Sequence, residues 1–187
     1  MRPAKTLLRR AICAALLAGL PGAALADMPL TYESDGRALF RLSAPDFWQV
    51  RAGGPRAITA PETGEARLIN RVIGMEPVAD KGVWVGFLSP NGISTLDQAE
   101  DYLAGIGRSL VKEPEVTERT SITLGGLPTH RITGIGRRDG RAVSFTALLI
   151  DLPTNRVAIS LAVIENGANP ELVNDVNAIY SSFRAIR

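Results

Sequence analysis

The feature that most constrains the fold is a series of extended segments in the second half of the chain. The stretch VTERTSITL, residues 116–124, alternates in hydrophobicity and predicts a strand. One face of this strand is predicted to carry Val116, Glu118, Thr120, Ile122 and Leu124. Three further strands are predicted at residues 129–136, 142–151 and 157–164.

Short turns join the last three of these strands. Residues 138–141 read RDGR, in which Asp-Gly is a hairpin signal, and residues 152–155 read LPTN. Turns of this length predict an antiparallel meander. The middle strand, AVSFTALLID, is apolar at nearly every position, so we expect both faces of the sheet to be covered there.

Two helices are predicted, one before the meander and one after it. Thr95 followed by Gln98 fits a capping box, and Pro114 closes the first segment. Its apolar stripe comprises Leu96, Ala99, Leu103, Ile106 and Leu110. Asn169 and Pro170 suit the start of the second helix. The buried stripe of the second helix comprises Leu172, Val176, Ile179 and Phe183.

Shorter strands are predicted in the first half of the chain. They lie at residues 38–42, 47–50, 68–75 and 83–88, with a Gly- and Pro-rich loop at 51–66. The fold class expected is therefore α+β, an antiparallel sheet flanked by helices.

The N-terminus has the pattern of a secretory signal peptide. Four basic residues precede the apolar run AICAALLAGL, and Ala-Leu-Ala follows, which predicts cleavage between Ala26 and Asp27. The run is far shorter than the ~20 residues that span a bilayer, so we expect no transmembrane span after cleavage. The sequence divides into a signal peptide (1–26), a flexible lead-in (27–36) and a single domain (37–187). The expected location is the periplasm.

Removal of the signal peptide changes the charge and cysteine content. Loss of four basic residues and no acid leaves 17 basic against 19 acidic residues, so the mature chain has no basic excess to attract nucleic acid. Cys13, the only cysteine, leaves with the signal peptide. Disulfides, zinc-thiolate sites and cysteine nucleophiles are therefore excluded from the mature chain.

The order of elements resembles that of the PsbP-like and DcrB-like family of α/β/α sandwich proteins. The residues that carry the resemblance are LSAPDFWQV at 42–50, GGLPTHRITG at 125–134 and IYSSFRAI at 179–186, with a long helix between the first two. The family includes an extrinsic photosystem subunit, a nuclear import factor and bacterial envelope or chaperone proteins. The resemblance implies a non-enzymatic docking or assembly role and supplies no catalytic residue.

The sequence contains no recognisable catalytic motif. His130 is the only histidine, and Ser121, Ser144 and Ser160 stand in no G-x-S-x-G motif. A lone histidine cannot build a typical zinc site, and acids at 97–101 are explained by the helix dipole. We expect no catalytic residue, no metal and no cofactor, with His130 as a hydrogen-bonded structural or interface residue. A hydrolase using His130 as base is the least favoured alternative.

Arginines and tryptophans supply the candidate recognition residues. Those predicted to bind a partner are Arg131, Arg137, Arg138, Arg141, Trp48 and Trp84. The competing interpretations are a solvated turn for the arginines and core packing for the tryptophans. The leading hypothesis is an exported, non-enzymatic accessory or chaperone-type protein that binds another envelope protein. The alternative is a small-ligand or lipid-binding module that uses the region of Trp48 and Trp84.

Overall fold

The computed structural model describes residues 27–54, 56–59, 66–69 and 71–187. The predicted signal peptide, residues 1–26, lies outside the described residues. The fold is α+β, with antiparallel sheets and two helices. The strands are β1 Met28–Ser34, β2 Arg37–Ala44, β3 Trp48–Gly53, β4 Arg56–Thr59, β5 Ala66–Ile69, β6 Val72–Pro77, β7 Val83–Leu88, β8 Lys112–Leu124, β9 Leu127–Arg138, β10 Arg141–Leu152, β11 Arg156–Glu165 and β12 Arg184–Ala185. The helices are α1 Leu96–Leu110 and α2 Pro170–Ser182.

A seven-stranded sheet with the order β3-β6-β7-β11-β10-β9-β8 forms the centre of the fold. Strands β1, β2 and β12 make a second, three-stranded sheet, and β4 pairs with β5. In the described part of the chain, neither helix is long and apolar enough to cross a membrane.

The predicted helix starts are confirmed. The Thr95 side chain accepts a hydrogen bond from the Gln98 backbone N–H, and the Gln98 side chain accepts one from the Thr95 backbone. The Asn169 side chain accepts a hydrogen bond from the Glu171 N–H in the same way. These contacts satisfy backbone donors that have no partner inside a helix.

The predicted meander of β9, β10 and β11 is also confirmed. Asp139 and Gly140 both have positive φ, at 51° and 80°, which is the conformation of a two-residue type I′ hairpin. Strand β10 is buried on both sides, as its composition predicts. Leu148 and Ile150 belong to one hydrophobic cluster, whereas Ala147 and Leu149 belong to the other.

The two hydrophobic clusters use different helices. The first cluster contains Leu172, Val176 and Ile179 of α2 together with apolar residues of β1 and β2. Tyr32 stacks on Phe40 at 4.7 Å between ring centroids, and Phe40 packs at a tilt against Phe183 at 5.0 Å, which forms an aromatic stack of three rings. The second cluster contains the α1 stripe, with Ala99 and Ile106 fully buried.

The first half of the chain departs from the sequence expectations. Residues 28–34 form β1 rather than part of a flexible lead-in, because Tyr32 is only 1% exposed and fits the aromatic stack. The single strand expected at 68–75 is instead divided between β5 and β6. The expected loop at 51–66 contains the end of β3 and all of β4.

Strand β8 does not alternate regularly along its whole length. Val116 pairs with Gly134 and Glu118 pairs with Thr133, so the register shifts by one residue between them. Thr117 is the extra residue of this bulge, and its hydroxyl donates to the Thr133 carbonyl at 3.2 Å. The sequence prediction that Val116 shares a face with Glu118 is therefore wrong. Val116 lies on the side of the sheet that α1 covers.

Candidate binding groove and sheet edge

A groove lies between α1 and the outer strands of the large sheet. Its apolar section has a volume of about 230 Å³. This section is lined by Leu103, Ala104, Gly107, Arg108, Pro114, Val116, Ile132 and Phe145, together with Glu100 and Arg119. A narrower extension of about 40 Å³ continues past Val111 to Leu161. The helix forms one wall and β8 forms the other.

Glycines keep this groove open. A Cβ atom on Gly107 of α1 would have no heavy atom within 4 Å, so the helix presents free space where another residue would present a side chain. On the sheet, a Cβ on Gly134 would overlap the Phe145 ring and the Glu115 carbonyl. The Phe145 ring therefore lies over Gly134 and forms the floor of the groove.

The bulge in β8 supplies the outer wall. Because Thr117 is an extra residue, the alternation of side chains between the two faces of the sheet is inverted before it. Val116 and Glu118 therefore lie on opposite faces. Val116, which is 38% exposed, then lines the groove instead of the opposite face of the sheet. The apolar character of this wall depends on that irregularity.

An ion pair spans the groove and marks the start of a polar section. Arg119 Nε on β8 lies 2.9 Å from Glu100 Oε1 on α1, and both side chains are partly exposed. Beyond this pair, a second section of about 180 Å³ is lined by Thr120, Ser121, His130, Arg131 and Ile132. Glu100, Arg119 and Ile132 line both sections, so the groove is continuous.

His130 lies at the far end of the polar section. It is half-buried and stands directly opposite Ser121 in the β8–β9 ladder. Counting from the two-residue turn at 125–126, this is a non-hydrogen-bonded pair, in which side chains approach most closely. Among the described residues, however, the imidazole makes no hydrogen bond or ion pair. The hydrogen bond expected from the sequence is therefore absent among the described residues, whereas an interface role for His130 stays a prediction.

The residues around His130 do not form a proton-transfer arrangement in the described part of the chain. A general base must be oriented and must lie within about 3 Å of the proton that it takes. No side chain orients the imidazole, and Glu100 is engaged by Arg119. The described residues also contain no group of three His, Asp, Glu or Cys side chains that could hold a metal ion. The arrangement suits binding better than reaction.

The outer side of β8 is an open edge of the large sheet. No other strand of the described chain pairs with it. Its first half contains Pro114, several charged side chains and both register shifts, all of which hinder further pairing. Residues 120–124 are regular, uncharged and free of proline. In this half, Ser121 and Thr123 direct their backbone N–H and C=O groups outward, since they form non-hydrogen-bonded pairs with β9.

The four arginines predicted to bind a partner are spread over two regions. Arg131 borders the polar section, but its side chain lies on the opposite face of the sheet, where it donates to the Thr120 hydroxyl at 3.2 Å and lies 3.6 Å from Glu118. The other three lie at the β9–β10 hairpin. Arg137 donates to the Gly140 carbonyl, Arg138 covers the Trp84 ring at 5.3 Å, and Arg141 pairs with Glu165 at 2.7 Å.

The two tryptophans have different environments, and neither lines the groove. Trp48 is 2% exposed, and its indole N–H donates to Asp175 at 3.3 Å. Its ring is therefore a core residue and cannot take part in a docking surface. Trp84 is partly exposed and lies against Gly74 and Gly86 of β6 and β7. Among the described residues, Trp48 is thus inaccessible to a ligand and Trp84 lies outside the groove.

Sequence reasoning missed most of the groove. The sequence explains Glu100 by the helix dipole and predicts no binding role for Arg119, Gly107 or Val116. Gly107 gave a usable signal, because a glycine inside an amphipathic helix is unfavourable by about 1 kcal/mol and needs a reason. The contribution of Val116 depends on a bulge that the alternating pattern conceals.

Comparisons with known proteins give relatives in fold only. No known protein family matches the chain, and no curated protein sequence matches it. A crystal structure from Bacteroides thetaiotaomicron has a TM-score of 0.51 at 8% identity and is matched over 79% of this chain and 45% of its own. This chain thus spans less than half of that protein.

Two further solved structures are similar at lower scores. LpqN, involved in cell envelope biogenesis of Mycobacterium tuberculosis, has a TM-score of 0.47 at 13% identity, covering 87% of this chain and 91% of its own. Cyanobacterial PsbP from Synechocystis has a TM-score of 0.46 at 11% identity, covering 90% and 99%. A PsbP protein is thus among the similar structures, as the resemblance in the sequence led us to expect. Identities this low carry no function across.

Proposed function

We propose that this chain is an exported, non-enzymatic accessory protein that binds another protein of the cell envelope by adding an extended segment of it to the β8 edge. The observation that carries the proposal is the contrast within β8. The half before residue 120 has the features that block pairing, whereas residues 120–124 have none of them. A strand edge of this kind is a template for β-strand addition.

The side chains beside this edge define the partner segment. Ile122 and Leu124 lie on the α2 side of the sheet and pack against the first hydrophobic cluster while remaining partly exposed. Ser121 and Thr123 lie on the α1 side and are exposed. The partner segment should therefore alternate between apolar and polar residues, with its apolar side chains next to Ile122 and Leu124.

The location and the architecture complete the proposal. The secretory pattern at the N-terminus supports export and cleavage after Ala26 to give a periplasmic protein. We also interpret the use of a different helix in each hydrophobic cluster as the α/β/α sandwich of the PsbP-like resemblance. A hydrolytic role is not favoured, because His130 has no orienting partner among the described side chains.

A photo-crosslinking experiment tests the docking site. A photoreactive residue replaces Glu118, which lies two residues before the regular half of the edge, and the chain is expressed in its native envelope. We expect one reproducible crosslinked protein. Adding Thr123→Pro should abolish the crosslink, because proline removes an outward N–H while sparing the ladder to β9. Thr123→Val keeps that N–H and should retain the crosslink.

The control position is Asn177, an exposed residue of α2. A photoreactive residue there should give no such product. A crosslink that survives Thr123→Pro, or the absence of any product at position 118, would contradict docking at this edge.

A further inference from the structure

We propose that the groove between α1 and β8 binds a single-chain amphiphile, with its acyl chain in the apolar section and an anionic head group in the polar section. This site is distinct from the outer edge of β8, since it lies on the inner side of that strand. It assigns a small-molecule ligand to the chain in addition to a protein partner.

The apolar section has the composition of an acyl-chain site. Leu103, Val116, Ile132 and Phe145 line it, and the narrow extension toward Val111 and Leu161 is wholly apolar. Ligand sites are mostly apolar clefts with a few polar groups that fix orientation. The apolar section and its extension together follow α1 from Glu100 to Val111, and this extent fits an extended hydrocarbon chain.

Gly107 is the strongest indication that the space is kept open. A side chain there would improve the helix, since glycine is about 1 kcal/mol less favourable than alanine in a helix interior. No neighbouring atom prevents it, because nothing lies within 4 Å of its Cβ position. A larger residue would instead enter the groove that Gly107 lines. Occupation of the groove by a ligand accounts for the glycine, whereas packing of the protein alone does not.

The polar section favours a negatively charged head group. Its side-chain donors on the α1 side are Arg119, the imidazole of His130 and the hydroxyl of Ser121, whereas Thr120 and Arg131 direct their side chains to the other face of the sheet. The one carboxylate in the lining, Glu100, is already neutralised by Arg119. The Arg119–Glu100 pair is partly exposed, and ion pairs of this kind are weak enough for Arg119 to exchange its contact for a ligand. A carboxylate or phosphate head group would find cationic and hydroxyl donors at the end of the apolar section.

Dodecanoate is the probe for a calorimetric titration of the purified chain, kept below its micelle concentration. We expect saturable binding with one site. Dodecyltrimethylammonium has the same chain and the opposite charge, and it should bind at least about tenfold more weakly. Equal binding of the two probes would overturn the head-group assignment, and no binding of dodecanoate would overturn the site.

Gly107→Leu tests the position of the acyl chain. The leucine should fill the apolar section and weaken dodecanoate binding at least about tenfold, while the thermal unfolding midpoint stays the same or rises. The matched control is Ser109→Leu, which adds the same side chain at an exposed position two residues along the same helix. If Gly107→Leu does not fold, Ala104→Leu at the rim of the same section provides the second variant. Unchanged affinity in a folded groove variant would show that the probe binds elsewhere.

This test is independent of the proposed protein docking. Thr123→Pro should leave dodecanoate binding unchanged, because Thr123 does not line the groove. Loss of the photo-crosslink together with retained dodecanoate binding would therefore separate the two sites.

Discussion

Gly107 and Gly134 show how the same residue type serves opposite purposes on the two sides of one groove. At Gly107 a side chain has room but is missing, so the space is left to solvent or ligand. At Gly134 a side chain has no room, because Phe145 lies directly over the backbone. Neither glycine has a positive φ, so backbone conformation does not explain either of them.

We therefore predict opposite effects of alanine at these two positions. Gly134→Ala should lower the free energy of unfolding by about 1–3 kcal/mol, the usual range for overpacking. Gly107→Ala should raise it by up to about 1 kcal/mol, because alanine is the better helix former. Urea unfolding followed by circular dichroism measures both. A neutral Gly134→Ala would mean that Phe145 moves freely off the strand.

The buried hydroxyl of Tyr180 should make the free energy of unfolding fall as the pH becomes alkaline. Its ring meets Phe87 edge-on at 5.9 Å between centroids, and its hydroxyl accepts a hydrogen bond from the buried Ser160. Burial raises the pKa of Tyr180 above its ordinary value of 10.0, and the hydrogen bond opposes this only in part. Because the folded-state pKa is the higher one, the stability due to the protonated hydroxyl is present below about pH 10 and is lost above it.

The variant Tyr180→Phe tests this pH dependence of the free energy of unfolding. At pH 7 the variant should be less stable by about 1–2 kcal/mol, because Ser160 loses its partner. From pH 10 to 11.5 the wild-type chain should lose stability more steeply than the variant does. Chemical unfolding at several pH values measures the difference. Parallel pH curves for the two proteins would show that Tyr180 ionises as readily in the fold as in the unfolded chain.

At the scale of secondary structure, α1 is both a core element and one wall of the groove. Its capping box is its main N-terminal anchor, since Thr95 and Gln98 exchange hydrogen bonds there. Thr95→Ala should therefore destabilise the protein by about 1 kcal/mol, whereas Thr95→Ser should keep most of the cap. Hydrogen exchange should speed up at the first turn of α1 in Thr95→Ala alone. Equal exchange in both variants would mean that packing of the apolar stripe fixes the helix start.

Elements with a local signal could be predicted from the sequence, and the groove could not. The capping residues Thr95 and Asn169 and the Asp139-Gly140 turn act within a few residues, so they could be interpreted without knowing the fold. Strand β1 was missed because Tyr32 is buried only when Phe40 and Phe183, the latter far along the chain, come together. The bulge at Thr117 was missed because its sequence still alternates.

For the whole molecule, export is the property that the sequence predicts most directly. The secretory pattern predicts that the chain in its native envelope begins at Asp27, without Cys13 and without the four basic residues of the N-terminus. Intact mass spectrometry of the protein isolated from the envelope fraction should give the mass of residues 27–187. A mass that includes residues 1–26 would contradict cleavage. Recovery of the protein only from the cytoplasm would contradict export.

The three-stranded sheet joins the two ends of the described chain. Strand β2 pairs with β1 on one side and with β12 on the other, and the Ile186 N–H donates to the Leu39 carbonyl at 2.9 Å. Phe183, which precedes β12, completes the aromatic stack that begins at Tyr32.

This closure governs when the protein can finish folding. Until residues 183–186 are in place, the hairpin of β1 and β2 has no partner on one side and its aromatic stack stays incomplete. Contacts between such distant residues also form slowly. We therefore expect this hairpin to reach its full protection from hydrogen exchange only after the last described strand has paired with it.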